Sequence, residues 1–237
     1  MDEFWRGRLS PDACAASGAA DARTHLAIAT EALGGLAAAL GLGAPFAASA
    51  LARLSLHSAE IEITGAAKAG DAVRLTGGVA GWTEDALTAV FTHSDADGGA
   101  LARTRIRARH VSARSFEAFA WPRRATEAFG RLPAQDTGWQ ALTESDAPGL
   151  EQAQELAAAG RGVFGAADAD TAGRVTAHAI LGRLLDAAGE ADEAGARTNL
   201  VLHIAALPGR PYAVFAKDGG AWMLDAASGR ALAELAR

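Results

Sequence analysis

Seven residues, Asp168-Ala-Asp170-Thr-Ala-Gly173-Arg174, bring two carboxylates, a glycine and a guanidinium together. They lie between a short strand pattern beginning at Arg161 and a helix-periodic pattern running to Gly189. A carboxylate in that place has two uses. It can attack a carbonyl, or deprotonate a water, if donors for the resulting oxyanion stand beside it. The first-turn amides of a helix are such donors, and the helix dipole favours negative charge there. Alternatively, Asp170 caps the helix, worth about 1 kcal/mol. Residue type and position leave both uses open. Asp168 reads as a solvated turn residue, since the run lacks the glycine and terminal glutamate that a calcium loop needs.

The stretch has a degraded copy near the N-terminus. Arg6-Gly7 answers Arg161-Gly162, Gly18 answers Gly173, Glu31-Ala32 answers Asp186-Ala187 and Gly34 answers Gly189, all at an offset of 155 residues. Asp170 is answered by Ala15, so the acid is present in one copy only. Later likenesses follow at falling offsets: Leu54-Ser-Leu-His57 with Leu200-Val-Leu-His203 at 146, Gly70 with Gly209 at 139, and Gly98-Gly-Ala-Leu-Ala102 with Gly229-Arg-Ala-Leu-Ala233 at 131. Matches that fall in order indicate a duplication whose second copy has shorter loops.

The elements that position these residues follow from periodicity. Phe4–Ser10 reads as a strand, and Ala19 to about Leu40 as a helix apolar over most of its surface. Period-two stretches follow around 54–63, 72–81, 87–93 and 100–112, the last two joined by an Asp-Ala-Asp-Gly-Gly turn. Pro122, Pro133 and Pro148 punctuate a polar connector, with a short helix expected at about Leu150–Ala159. The second copy repeats strand (Arg161–Gly165), helix (Arg174 to about Ala188) and strands (198–206, 212–217, 221–225, 230–235). The expected organisation is a first repeat over 1–120, a connector over 121–158 and a second repeat over 159–237.

Composition excludes several classes of function. The 237 residues are 50% hydrophobic, enough for a sizeable core, and the formal charge is −6. The 22 basic residues are spread along the chain, so no nucleic-acid partner is expected. One cysteine, Cys14, leaves no disulfide framework and no cysteine-based zinc site, and no HExxH spacing occurs, so neither metal nor cofactor is expected. The N-terminus lacks a signal-peptide pattern, and the longest apolar run, Leu33–Leu42, is too short to span a bilayer. A cytoplasmic protein without a membrane partner is the expectation. Cys14 stands at the first helix mouth, where a thiolate is favoured, although a small buried cysteine is the commoner case. His57 and His203 end matched strands and read first as structural, then as ligand contacts; His25 and His178 are out of register and read as helix-surface residues.

A strand, a buried helix and an antiparallel meander, duplicated, resembles the hotdog fold in its double form: an α+β architecture of tandem antiparallel sheets wrapped around long helices. Asp168-Ala-Asp170-Thr-Ala-Gly173-Arg174-Val175 is similar to the D-x-D-x-x-G-H-V/M signature of the acyl-CoA and acyl-carrier-protein thioesterases of that fold. The resemblance implies a thioester hydrolase with Asp170 as catalytic carboxylate, the amides of Gly173 and Arg174 as oxyanion donors, and an acyl-CoA or acyl-carrier-protein thioester as substrate. Arg174 departs from the family's histidine. Ala15, Gly18 and Ala19 at the first mouth imply one working site, at the interface of the halves. Glu31 and Asp186, at matched helix positions, are weak substrate-site candidates with His57 and His203, because some hotdog thioesterases use a helix carboxylate. The alternative is a non-catalytic acyl-thioester binding protein; a hotdog hydratase ranks last. The chain is self-sufficient as a pseudo-dimer or pairs into a homodimer.

Overall fold

The computed structural model describes residues 2–42, 52–134, 139, 155–189 and 195–236. Ten strands form one antiparallel sheet: β1 (Asp2–Arg8), β2 (Ala52–Ile63), β3 (Ala72–Trp82), β4 (Ala86–Ser94), β5 (Ala100–Ser112), β6 (Ala158–Val163), β7 (Arg197–Leu202), β8 (Pro211–Lys217), β9 (Gly220–Asp225) and β10 (Ala231–Ala236). Their order across the sheet is β1-β3-β4-β5-β2-β7-β10-β9-β8-β6, so each half contributes five adjacent strands in matching order. The halves meet where β2 pairs with β7, from Ser58–Val201 to Glu62–Arg197.

Three helices are described: α1 (Ala22–Ala39), α2 (Arg123–Phe129) and α3 (Ala177–Ala188). Alanine and leucine at three- and four-residue spacing make α1 apolar on most sides, and Leu26, Ala29, Leu33, Leu36 and Ala37 are fully buried. The sheet packs on both long helices, α1 against β1–β5 and α3 against β8, β9 and β10, and α1 packs on α3: a side chain in place of Gly182 would meet the Arg23 stem at 3.0 Å. The residues of one core cluster come from both halves. This is the tandem hotdog architecture. The expected helix at Leu150–Ala159 lies largely outside the described residues; by Ala158 the chain is already in β6.

Backbone hydrogen bonds test the duplication residue by residue. Gly18 N donates to Ala15 O and Ala15 N to Ala19 O; Gly173 N to Asp170 O and Asp170 N to Arg174 O repeat them at the 155 offset. Ala20 N to Ala67 O and Val175 N to Ala206 O keep 155 on one side and give 139 on the other. Thr64 N to Leu101 O is repeated by His203 N to Leu232 O. His203 therefore corresponds to Thr64, and the expected His57–His203 match is overturned: the two Leu-x-Leu-His runs are alike in sequence but occupy different places. His57 lies at the β2 bulge between Leu56 and Ser58.

Candidate functional site at the Asp170 turn

The turn is built before the helix, not on it. A 3₁₀ turn over Ala166–Asp168 leads into a tight loop in which Gly173, at φ +73°, reverses the chain. A left-handed conformation is open to glycine without the Cβ penalty. The N-cap of α3 is Thr176, whose hydroxyl accepts from Ala179 N at 3.4 Å. Asp170 is thus not the cap, because α3 begins three residues later than its sequence pattern suggested. Its Oδ1 instead accepts from Ala172 N (2.8 Å) and Arg174 N (3.0 Å). This is an Asx-type turn, in which a short acidic side chain substitutes for a backbone carbonyl.

That bonding corrects the expected oxyanion donors. The Arg174 amide is spent on the Asp170 side chain and the Gly173 amide on the Asp170 carbonyl (2.9 Å). Two groups remain beside the turn. One is the second Asp170 oxygen; the other is the Arg174 guanidinium, whose carbon lies 3.1 Å from the centroid of the Phe116 ring. Burial lowers the Arg174 pKa first, the nearby Arg53 lowers it further, and Asp170 opposes both. Phe116 and Arg53 belong to the first half, so residues of both halves lie beside the turn. Neither residue carried a sequence signal, because each reaches the turn through tertiary structure alone.

The weaker candidates do not gather here. His203 Nε2 pairs with Glu234 Oε1 at 2.7 Å, with Glu234 almost wholly buried on β10. Glu31 is exposed and accepts from the Trp5 indole at 2.6 Å, and Asp186 is exposed on α3. His178, expected on a surface, is half-buried at the helix–helix seam, where burial pushes its pKa down and Glu31 pulls it up. His25 was also expected on a surface and is fully buried, with Nδ1 3.1 Å from His93 Nδ1. It lies on the buried face of α1 beside Leu26 and Ala29, away from the face that carries the exposed Glu31. Cys14 is buried, the commoner of its two expected states, and burial, seconded by the Asp21 charge, raises its thiol pKa. Among the described residues no group of three or more His, Cys, Asp or Glu could hold a metal ion, and no helix is long and apolar enough to cross a bilayer.

No family model and no curated protein matches the sequence. Solved structures do match the fold. An acyl-ACP thioesterase from Bacteroides thetaiotaomicron superposes with a TM-score of 0.77 at 10% identity, covering 98% of this chain and 94% of that one. The 12:0-ACP thioesterase from Umbellularia californica gives 0.72 at 10% identity, with 98% and 94% covered. The PA5185 protein from Pseudomonas aeruginosa matches 56% of this chain with 92% of its own, at a TM-score of 0.51 and 13% identity. Two whole-chain matches and one half-chain match identify the protein as a tandem hotdog fold, two hotdog units joined in one polypeptide.

Proposed function

We propose that the protein hydrolyses acyl thioesters at the Asp170 turn. The observation that carries the reading is that one acid-bearing turn, Asp170–Arg174, stacks its arginine on Phe116 of the other half within a fold shared by acyl-ACP thioesterases. Two backbone amides hold the Asp170 carboxylate through Oδ1. Oδ2 then serves as the base that takes a proton from a water attacking the thioester carbonyl. The tetrahedral oxyanion needs a donor, and with the turn amides engaged the Arg174 guanidinium supplies it. Collapse of the intermediate expels the thiolate, which takes the proton back from Asp170, and leaves the free acid. Either coenzyme A or a carrier protein can bear the acyl group in this scheme.

Thiol release is to be measured over short, medium, long and aromatic acyl thioesters on both carriers, with wild type, Asp170→Asn and Arg174→Ala. The carboxamide introduced by Asp170→Asn keeps one oxygen for the turn, so a fall of about 10²–10³ in kcat with an unchanged melting temperature is expected. Equal rates in wild type and Asp170→Asn would remove Asp170 from the chemistry. The engaged amides of Gly173 and Arg174 favour a second reading, a non-catalytic acyl-thioester binder. Tight binding of the same thioesters without turnover is its signature.

A further inference from the structure

The face of the sheet turned away from the helices carries a row of arginines. Leu87, Ala89, Ile106 and Ala108 lie in the core, so by strand alternation Thr88 on β4 and Arg103, Arg105, Arg107 and Arg109 on β5 point outward. Three of these arginines are matched by acids: Arg103 by Glu62 at 3.6 Å, Arg105 by Glu60 at 2.6 Å and Arg109 by Asp85 at 2.7 Å. The Trp139 ring also lies over Arg103 and Arg105, its centroid 4.8 and 5.2 Å from their guanidinium carbons. Arg107 is exposed and has no carboxylate partner among the described residues. Register sets Gly81 opposite Thr88, and Thr88 opposite Arg107, so the three form one row across β3, β4 and β5. That row lines a recess of about 240 Å³, together with Trp82, Thr83 and Arg105. Gly81 follows the β3 bulge, and a Cβ on it would meet nothing within 4 Å, so its place in the recess is open.

The lining fits one class of ligand. It holds two guanidiniums and no carboxylate. Of the acids in the β3–β4 turn, Asp85 is bound to Arg109 and Glu84 is exposed, and neither lines the recess. Arg105, clamped by Glu60 and Trp139, is a rigid wall, whereas Arg107 can turn its planar fork onto an anion. The half-buried Thr88 hydroxyl makes no hydrogen bond among the described residues and adds a donor beside it. A fork and a hydroxyl around one unmatched cation suit the oxygens of a phosphate monoester. Trp82 is half-exposed and backed by Phe129, with ring centroids 5.4 Å apart, so it offers a flat ring a stacking surface next to those donors. A nucleic-acid strand is a poorer fit, because the flanking arginines that would follow its backbone are already neutralised. We infer that the recess binds a nucleoside phosphate, with the phosphate on Arg107 and Thr88 and the base on Trp82. None of its lining residues belongs to the Asp170 turn, so the binding requires no hydrolysis. Two sources share this chemistry, a free nucleotide and the nucleotide end of coenzyme A. The second would choose between the two carriers, a consequence that rests on the thioesterase reading.

Isothermal titration calorimetry of the full chain with AMP, adenosine 3′,5′-bisphosphate and adenosine tests this without an acyl substrate. The two phosphorylated ligands are expected to bind, and adenosine about tenfold or more weakly than AMP. Arg107→Ala should weaken nucleotide binding about tenfold or more, and the nearly isosteric Thr88→Val less than that. Gly81→Leu, which fills the recess, should abolish it, and unchanged melting temperatures guard against misfolding. Tighter binding of the bisphosphate than of AMP assigns the coenzyme A end, and binding no tighter assigns a free nucleotide. Three results overturn the inference: no binding of either nucleotide at about 1 mM, adenosine binding as tightly as AMP, or binding indifferent to both Arg107→Ala and Gly81→Leu. No turnover enters the measurement, so its failure leaves the hydrolytic reading untouched, and loss of turnover in Asp170→Asn leaves this one untouched.

Discussion

The two halves share a backbone plan and differ in where they keep their polar groups. In the second half the acid stands at the surface turn, Asp170, over an apolar interior. The first half has Ala15 in the turn and a buried polar trio beneath it. His25 Nδ1 meets His93 Nδ1 at 3.1 Å, and His93 Nε2 meets Thr104 Oγ1 at 2.8 Å. At the structurally equivalent places of the second half stand Ile180, Met223 and Leu235, all in the core. The acid of the second copy's turn is thus only partly buried, whereas the first copy's histidine pair is buried completely. The comparison teaches that a duplicated fold tolerates polar residues in either place, at different costs.

The sharpest break in the comparison is the turn itself. Asp170→Asn is expected to lower turnover by about 10²–10³, whereas the first copy's Ala15→Ser should leave it unaltered. Both are read by thiol release on the same substrates.

Next comes the buried trio. Burial lowers the His25 pKa to about 4, and burial together with His25 drives His93 well below its ordinary range. Both are therefore neutral when folded, while the unfolded chain titrates near 6.5. Between those values the unfolded state binds more protons, so stability is full above about pH 6.5 and is lost as pH falls toward 4. The slope approaches about 1.4 kcal/mol per pH unit for each histidine. Chemical denaturation at pH 7 and pH 5 should show the loss. Replacing the trio by the second half's residues, His25→Ile, His93→Met and Thr104→Leu, should flatten it; an unaltered slope would locate the acid sensitivity elsewhere.

Much of this contrast was readable beforehand, for identifiable reasons. The 155 offset held because the turn glycines Gly18 and Gly173 both need positive φ, +80° and +73°, and such a requirement persists in sequence. The strand register was misread at His57 and His203 because Leu-x-Leu-His is an alternation any half-buried strand can carry. The candidate residues Asp170 and Arg174 were visible as a local run. Arg53 and Phe116 were not, since only the β2–β7 seam brings them there. The start of α3 was misplaced because the amides of Arg174, Val175 and Thr176 are committed to Asp170, Ala206 and Asp168, contacts that leave no mark in the local sequence pattern.

Those two glycines allow a matched pair of smaller perturbations. A Cβ on either would meet nothing within 4 Å, so Gly18→Ala and Gly173→Ala both test backbone strain alone. Each should cost about 1–2 kcal/mol in denaturant melts. Only Gly173→Ala should also lower turnover, because only its turn holds the acid. Equal loss of turnover in both would mean that the first copy's turn also serves the site.

The smallest expected difference lies at the helix caps. Asp21, the N-cap of α1, accepts from Thr24 N at 2.7 Å, donates from its own amide to the Thr24 hydroxyl oxygen at 3.3 Å, and pairs with Arg23 at 3.0 Å. Thr176, the N-cap of α3, accepts one long bond at 3.4 Å. A reciprocal, buried, charged cap satisfies more first-turn donors than a single hydroxyl does. Asp21→Ala should therefore cost about 1–2 kcal/mol, and Thr176→Ala about 0.5 kcal/mol, by urea denaturation. Thr176 also sits 3.2 Å from His178 Nε2, so its loss frees that ring to turn at the seam between α1 and α3. If Thr176→Ala proves the costlier, the helix behind the acid turn is held by this threonine–histidine contact more than by its cap, and the second half depends on a polar pair of its own.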